Sequence, residues 1–176
     1  MYSDRKMILI TGAGPTGLTM ANLLARMDIP FLLIDKNAQP SPDSKAFGIH
    51  ARTLEIFDQL GIAEKAVEKG KIDNTLHIFI KKKEIINLRI KELLTRETKY
   101  PYFLILDQNK TEELLIESLE EYGAKVNWQH ELTGFKEVDN GVEAISMCEM
   151  PVNFIKGGFF LPEMQPMCIA PPADRG

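Results

Sequence analysis

Apolar residues near the start of the chain change from continuous runs to a helical spacing and back again. Residues 7–11 and 31–34 are apolar runs of strand length, which predict two buried strands. The stretch between them, 15–27, predicts an amphipathic helix. The apolar face of this helix comprises Leu18, Ala21, Leu24 and Ala25. Because Asp28 and Ile29-Pro30 end the helix, the pattern predicts a β-strand, a helix and a second β-strand.

Apolar spacing predicts further elements downstream. Two helices are expected over 51–59 and 63–68. An antiparallel strand pair follows, 75–80 and 84–90, around the turn 81–83. The three lysines of that turn are interpreted as a solvated tip.

The next stretch predicts a helix and three strands. Residues 111–121 form the amphipathic helix, which ends at Gly123. Residues 125–128 are expected to add a strand, parallel in the main sheet, and 131–138 with 141–146 to form a hairpin around an Asp-Asn-Gly turn.

Beyond residue 146, proline and glycine pairs interrupt every candidate element. Residues 147–176 are therefore expected to be an irregular tail. Its phenylalanine and methionine content would be awkward in an isolated domain, so we expect association with another copy or a partner chain that covers it.

A glycine-rich turn joins the first strand to the first helix. Gly12, Gly14 and Gly17 have the spacing G-x-G-x-x-G, and Pro15 and Thr16 open the helix. Gly12 permits a sharp turn, Gly14 leaves no side chain between backbone and ligand, and Gly17 lets the helix lie close to the strand. The N–H groups and the positive dipole end of the helix then face the phosphates of a ligand. The turn with its flanking elements predicts a pyrophosphate site.

Asp35 ends the second predicted strand, 18 residues beyond Gly17. In dinucleotide-binding domains a carboxylate about 20 residues beyond the glycines accepts hydrogen bonds from the adenosine ribose. A carboxylate here argues against NADP, because it would repel a ribose phosphate. NAD and FAD carry the same ADP half, so both remain open at this point.

Several longer segments carry a family resemblance. They are Asp35-Lys36, Ser44-Lys45-Ala46, residues 48–57 with Leu60-Gly61-Ile62 behind them, and residues 100–115. Together with the glycine turn, they closely resemble the FAD-dependent aromatic-ring hydroxylases, typified by para-hydroxybenzoate, phenol and polyketide hydroxylases. The resemblance covers about residues 1–145.

The resemblance implies a Rossmann-like α/β fold that binds FAD or NAD(P), with a parallel central sheet and an antiparallel β excursion. It implies an FAD-binding domain over 1–146 that is incomplete relative to the family. It also implies that Lys36 is one of the cofactor-binding residues of this domain. By the same likeness Gln108 contacts the cofactor. Lys45 stands where the family has arginine near the pyrophosphate, and it keeps the positive charge.

The activity implied by the resemblance is hydroxylation of a small aromatic or polyketide-like substrate. NADPH or NADH reduces FAD, and reduced FAD uses O2. The Asp-Gly and Gly-Asp motifs that full-length members carry are not found in this sequence, so the chain resembles the amino-terminal part of such an enzyme and need not turn over alone. Two alternatives stay open: a non-catalytic or truncated nucleotide-binding or interaction protein, and an NAD-dependent dehydrogenase fragment.

Composition adds few constraints. Lys and Arg number 21 against 25 Asp and Glu, so no basic surface indicates nucleic acid. No apolar run reaches membrane-spanning length and the start of the chain is unlike a signal peptide, so we expect a cytoplasmic protein. Cys148 and Cys168 show no metal or disulfide spacing and are interpreted as free thiols. We assign no catalytic side chain and no metal site, and interpret His50 as a polar loop residue rather than a phosphate ligand.

Overall fold

The structure is a computed structural model that describes residues 7–40, 48–80, 83–89, 92, 97–138, 141–148 and 154–156. The elements in chain order are β1 (Ile8–Thr11), α1 (Pro15–Arg26), β2 (Phe31–Ile34), β3 (Gly48–Ile49), α2 (Ala51–Leu60), α3 (Ala63–Lys69), β4 (Lys71–Asp73), β5 (Thr75–Ile80), β6 (Lys83–Arg89), β7 (Phe103–Ile105), α4 (Gln108–Glu121), β8 (His130–Val138), β9 (Gly141–Cys148) and β10 (Phe154–Lys156). The chain divides into two compact units, which are described separately: Met1–Pro40 with Leu119–Gly176, and Ser41–Ser118.

The first unit contains the predicted parallel strand pair. β1 and β2 pair in parallel, with Ile8 opposite Phe31 and Thr11 opposite Ile34. Asn127 continues the sheet beyond β2 through a single parallel bridge to Ile34. The strand predicted over 125–128 therefore has the expected position and direction, but among the described residues it is reduced to one bridge.

Helix α1 packs one face against these strands. Leu18, Ala21 and Leu24 are buried, as the spacing predicts, whereas Ala25, the fourth residue of the predicted face, is only half-buried. Asn22 is also fully buried, and its side-chain nitrogen donates to the Leu18 carbonyl oxygen at 2.8 Å. This local bond to the preceding turn provides an acceptor for the buried side-chain nitrogen.

The expectation that β1 is buried along its length is wrong. Ile10 is buried, but Ile8 is 42% exposed. In the described part of the chain β1 pairs with β2 alone. A strand with one neighbour has less cover than the interior strand that its composition suggests.

An antiparallel sheet completes the first unit, with strand order β10-β9-β8. The predicted hairpin is confirmed, and β8 and β9 extend beyond its expected ends to His130 and Cys148. The tail expectation needs two corrections: Met147 and Cys148 belong to β9, and Phe154–Lys156 form β10 against β9. Pairing with an existing strand orders these residues, and sequence-local patterns do not report such long-range bonds. The remainder of the tail, with Cys168, lies outside the described residues.

The described residues of the second unit form two antiparallel sheets, helices α2 and α3, and most of α4. One sheet has β7 between β3 and β4, and the other is the predicted pair of β5 and β6. The strands β3 and β4 have two and three residues, too few to give a periodic pattern. Helices α2 and α3 match their predicted spans closely, and α2 ends at Gly61 in the left-handed conformation.

Helix α4 begins three residues earlier than the apolar pattern indicates, at Gln108 instead of Thr111. The backbone N–H and the hydroxyl of Thr111 both donate to the Asp107 carbonyl oxygen, at 3.1 and 3.2 Å. This turn is closed by polar contacts, and such a start leaves no trace in hydrophobic spacing.

Candidate functional site

The glycine turn of the first unit contains two glycines that the protein itself requires. Gly12 has φ of 97°, a conformation that L side chains rarely adopt, and its N–H donates to the Ile34 carbonyl oxygen at 2.8 Å. A Cβ on Gly17 would overlap the carbonyl oxygen of Gly12. Gly12 therefore makes the turn and Gly17 lets α1 lie against it.

Gly14 has neither reason to be glycine. Its backbone is extended, with φ of −76° and ψ of −179°, which any residue can adopt. A Cβ built there meets no protein atom within 4 Å. The space beside Gly14 is therefore open, in the place where a ligand would approach the backbone.

Backbone N–H groups surround this space at the start of α1. Pro15 occupies the first turn and Gly14 is the N-cap, whose carbonyl oxygen accepts the Leu18 N–H at 2.9 Å. Thr16 and Gly17 precede that first helical bond, so their N–H groups have no partner within the helix. No side chain caps the helix and its first turn has no acidic residue. These donors and the positive helix end suit an anion.

Asp35 lies directly against the turn. Its Oδ2 accepts the N–H of Ala13 at 2.7 Å, and its Oδ1 accepts the N–H of Asn37 at 2.8 Å. Its own backbone is held on both sides, by Asn127 at 3.0 Å and His130 at 2.9 Å. The carboxylate thus consumes the Ala13 donor and fixes the turn. A carboxylate has about four acceptor positions, so capacity remains for hydroxyl groups of a ligand.

The other sequence-predicted residues are placed as follows. Lys36 follows Asp35 and is exposed, and Lys45 lies outside the described residues. Gln108 belongs to the second unit, at the start of α4. His50 is the exposed N-cap residue of α2. Its ring contacts the Phe103 ring edge-on, with the two ring centroids 4.8 Å apart.

Two features escaped the sequence analysis. One is the bond between Asp35 and Ala13, which joins residues 22 positions apart. The other is Glu112, a buried carboxylate whose Oε1 accepts the side-chain N–H of Gln108 at 2.8 Å. The four-residue spacing of Gln108 and Glu112 within one helix was a usable signal for the second.

The described residues contain neither a metal-ligand cluster nor a membrane-spanning helix. No three or more His, Cys, Asp or Glu side chains are grouped as metal ligands. None of the helices has both the length and the apolar character needed to cross a bilayer.

Two parallel strands linked by a helix, with a glycine turn at the helix start and an acid after the second strand, define a dinucleotide-binding domain of the Rossmann-like class. Within that class, the chain belongs to the FAD binding domain family, whose model matches residues 5–150.

Several similar proteins are named as monooxygenases, and one solved structure among them is named as flavin-dependent. The chain is 37% identical over 137 residues to 6-methylpretetramide 4-monooxygenase of Streptomyces rimosus, covering 74% of this chain and 23% of the relative. It is 33% identical over 138 residues to pentachlorophenol 4-monooxygenase of Sphingobium chlorophenolicum, covering 78% and 25%. The crystal structure of the flavin-dependent monooxygenase PieE in complex with FAD and substrate has a TM-score of 0.75 and 25% identity, covering 88% and 30%. The chain thus spans about a quarter of the length of these curated relatives.

Proposed function

We propose that this chain is the FAD-binding part of a flavin-dependent monooxygenase that hydroxylates an aromatic or polyketide-like substrate with NAD(P)H and O2. Membership in the FAD binding domain family and the monooxygenase names of its relatives support the proposal. Bound FAD would supply the oxygen-activating chemistry, and the residues of this chain would bind and orient it.

The observation that carries the proposal is the open space at Gly14. Backbone conformation explains Gly12 and packing explains Gly17, but neither explains Gly14. A bound diphosphate would explain the glycine at position 14, because any side chain there would stand between the diphosphate and the N–H groups of the helix.

The glycine turn and Asp35 would bind different parts of the cofactor. The N–H groups of Gly14, Thr16 and Gly17 would hold the diphosphate, while Pro15 keeps the first turn helical. Asp35 would accept hydrogen bonds from the adenosine ribose. Lys36, Lys45 and Gln108 would make further contacts with the cofactor, as the family resemblance implies.

Gly14→Val tests this function directly. The purified chain is mixed with FAD, desalted, and its visible spectrum recorded. We expect the unmodified chain to retain oxidised flavin and Gly14→Val to lose at least about tenfold in affinity, since one lost phosphate contact of about 1.4 kcal/mol has that effect. Gly134→Val is the matched control, because a Cβ at Gly134 in β8 also meets no atom within 4 Å.

The same experiment contains its contrary outcomes. Equal flavin retention by Gly14→Val and the unmodified chain would show that the turn is not the binding site. Retention of NADH with no retention of FAD would instead favour the dehydrogenase alternative. Far-ultraviolet circular dichroism is the control that tests whether both valine variants are folded.

A further inference from the structure

The 127–130 segment pairs with the end of β2, directly before Asp35. Ile34 and Asn127 form a regular parallel bridge. The N–H of Asn127 donates to the Leu33 carbonyl oxygen at 2.9 Å, and its carbonyl oxygen accepts the Asp35 N–H at 3.0 Å. The Asn127 side-chain nitrogen also donates to the Leu33 carbonyl oxygen, at 3.0 Å. All of these residues belong to the first unit, which also contains the glycine turn.

Beyond this bridge the segment leaves the regular ladder. In a continued parallel ladder the Gln129 N–H would donate to the Asp35 carbonyl oxygen, and the Gln129 carbonyl oxygen would accept the Asn37 N–H. Instead, the His130 N–H donates to the Asp35 carbonyl oxygen at 2.9 Å. The Gln129 N–H donates to the Asn37 carbonyl oxygen at 2.8 Å. The segment therefore contains one residue more than the ladder requires, as a β-bulge does.

The backbone conformation of Gln129 produces this departure. Its φ is 59°, in the left-handed region that few residues other than glycine adopt. Among the described residues, Asp28 is the other non-glycine residue with a positive φ, and it directly follows α1, where helices commonly end in this conformation. Gln129 ends no helix, so its unfavourable conformation calls for another reason.

The departure from the ladder makes the Asn37 N–H available to the Asp35 carboxylate. That N–H donates to Oδ1 of Asp35 at 2.8 Å, whereas a continued ladder would direct it to the Gln129 carbonyl oxygen. Oδ2 of Asp35 accepts the N–H of Ala13 in the glycine turn at 2.7 Å. With one backbone N–H on each oxygen, the plane of the carboxylate is fixed, and each oxygen can still accept a further hydrogen bond. A fixed acceptor beside the turn is preorganised for a ligand that the turn holds.

We infer that Gln129 is a positioning residue for the cofactor: its left-handed backbone orients the Asp35 carboxylate toward the adenosine ribose of FAD, without contact between Gln129 and FAD. The inference rests on the proposed function, in which Asp35 accepts hydrogen bonds from that ribose. A segment that served only to extend the sheet would continue the ladder and would need no left-handed residue.

Displacement of bound FAD from the full chain, followed by flavin fluorescence, measures the affinities of ADP and 2′-deoxy-ADP. The two probes differ only in the 2′-hydroxyl group, which donates to the carboxylate in dinucleotide-binding domains. We expect the unmodified chain to bind ADP about tenfold more tightly than 2′-deoxy-ADP, which is the effect of one hydrogen bond to a charged group.

Gln129→Val should lose this discrimination, because a β-branched side chain strongly disfavours a positive φ. Its affinity for ADP should fall about tenfold, while its affinity for 2′-deoxy-ADP should stay within about twofold of that of the unmodified chain. Gln129→Gly is the matched control. It removes the same side chain but adopts the left-handed conformation without strain, so it should keep the discrimination.

The decisive measurement is a double-mutant cycle. In an Asp35→Ala background, Gln129→Val should cause no further loss of ADP affinity, because the carboxylate that Gln129 orients is gone. Equal losses of ADP and 2′-deoxy-ADP affinity in Gln129→Val would assign the segment a purely structural role and overturn the inference. Unchanged discrimination in Gln129→Val, or its loss in Gln129→Gly as well, would also overturn it.

The remaining outcomes separate the two proposals. If the unmodified chain binds FAD but does not discriminate between ADP and 2′-deoxy-ADP, the positioning inference fails and the proposed function stands. If the unmodified chain binds no FAD, both fail. Should Gln129→Val not fold, Gln129→Ala replaces it, because alanine also disfavours a positive φ. Equal discrimination by Gln129→Ala and Gln129→Gly would then overturn the inference.

Discussion

Substitution of Gly17 tests the geometry of the turn independently of any ligand. Glycine to alanine in a helix ordinarily gains about 1 kcal/mol. At Gly17 the added Cβ would overlap the Gly12 carbonyl oxygen, a backbone atom with little freedom to move. We therefore expect Gly17→Ala to lower the free energy of unfolding by about 1–3 kcal/mol, measured by urea denaturation without any nucleotide.

Gly14→Ala is the matched comparison for that experiment. Its Cβ meets nothing within 4 Å, so Gly14→Ala should lose no more than about 1 kcal/mol, the typical difference in N-cap preference, and less than Gly17→Ala loses. Equal midpoints for Gly17→Ala and Gly14→Ala would contradict the close approach of α1 to the turn.

The hydrogen bonds of Asp35 lead to a second prediction at the residue scale. Both of its carboxylate oxygens accept backbone N–H groups, from Ala13 and Asn37. In Asp35→Asn one oxygen becomes an NH2 group, which faces a donor instead of accepting from it. Thermal unfolding of the nucleotide-free chain should show a loss of about 1–3 kcal/mol.

Asp73→Asn provides the control for the loss at Asp35. The Oδ1 of Asp73 accepts the Thr75 N–H at 3.0 Å, and an asparagine oxygen can make the same bond. We expect a much smaller change there. A comparable loss in both variants would mean that removal of negative charge, and not the lost acceptor, governs stability at Asp35.

At the scale of elements, the segment before β7 is held against helix α2 by a polar cluster. The Asp58 Oδ1 accepts a hydrogen bond from the Lys99 ammonium at 3.0 Å and another from the Tyr100 hydroxyl at 2.8 Å. The hydrogen bond from Lys99, followed by that from Tyr100, lowers the pKa of Asp58. Burial, followed by the hydrogen bond to Asp58, raises the pKa of Tyr100.

This cluster predicts a pH dependence of stability. A carboxyl whose pKa is lower in the folded state stabilises the fold above its unfolded pKa, and the contribution is lost as pH falls through the folded pKa. We expect the urea midpoint of the unmodified chain to fall more steeply below about pH 4 than that of Asp58→Asn. Parallel acid limbs for the two proteins would contradict the assigned cause.

Elements also show how far sequence reasoning reached. The strands, the helix and the turn between residues 7 and 34 were predicted closely, because runs, spacing and glycines are local signals. The strands β3 and β4 were not predicted. Each is short, and its pairing with β7 is settled by residues distant in the chain.

At the scale of the whole molecule, the activity that we expect depends on the fraction of its relatives' length that the chain covers. It covers 23% of 6-methylpretetramide 4-monooxygenase and 25% of pentachlorophenol 4-monooxygenase. A bound flavin catalyses hydroxylation efficiently only when the protein also positions NAD(P)H and the substrate next to it. We expect the isolated chain with FAD, NADPH and a phenol to consume NADPH no faster than free FAD does.

An oxygen electrode and absorbance of NADPH measure that expectation together. Oxygen-dependent NADPH consumption that exceeds the free-FAD rate and depends on the phenol would show that this chain is catalytically sufficient. If the chain binds FAD but consumes NADPH no faster than free FAD does, the result agrees with a role in cofactor binding alone.

The sequence by itself determined the parallel strand and helix unit, the reasons for glycine at positions 12 and 17, and the acid at its second strand end. These follow from backbone conformation and spacing, which are properties of neighbouring residues. Only the tertiary structure decided that Asp35 bonds to Ala13, that the space at Gly14 is open, and that Glu112 is buried. Side-chain contacts and burial depend on how distant segments and successive helical turns pack, and hydrophobic periodicity does not encode them.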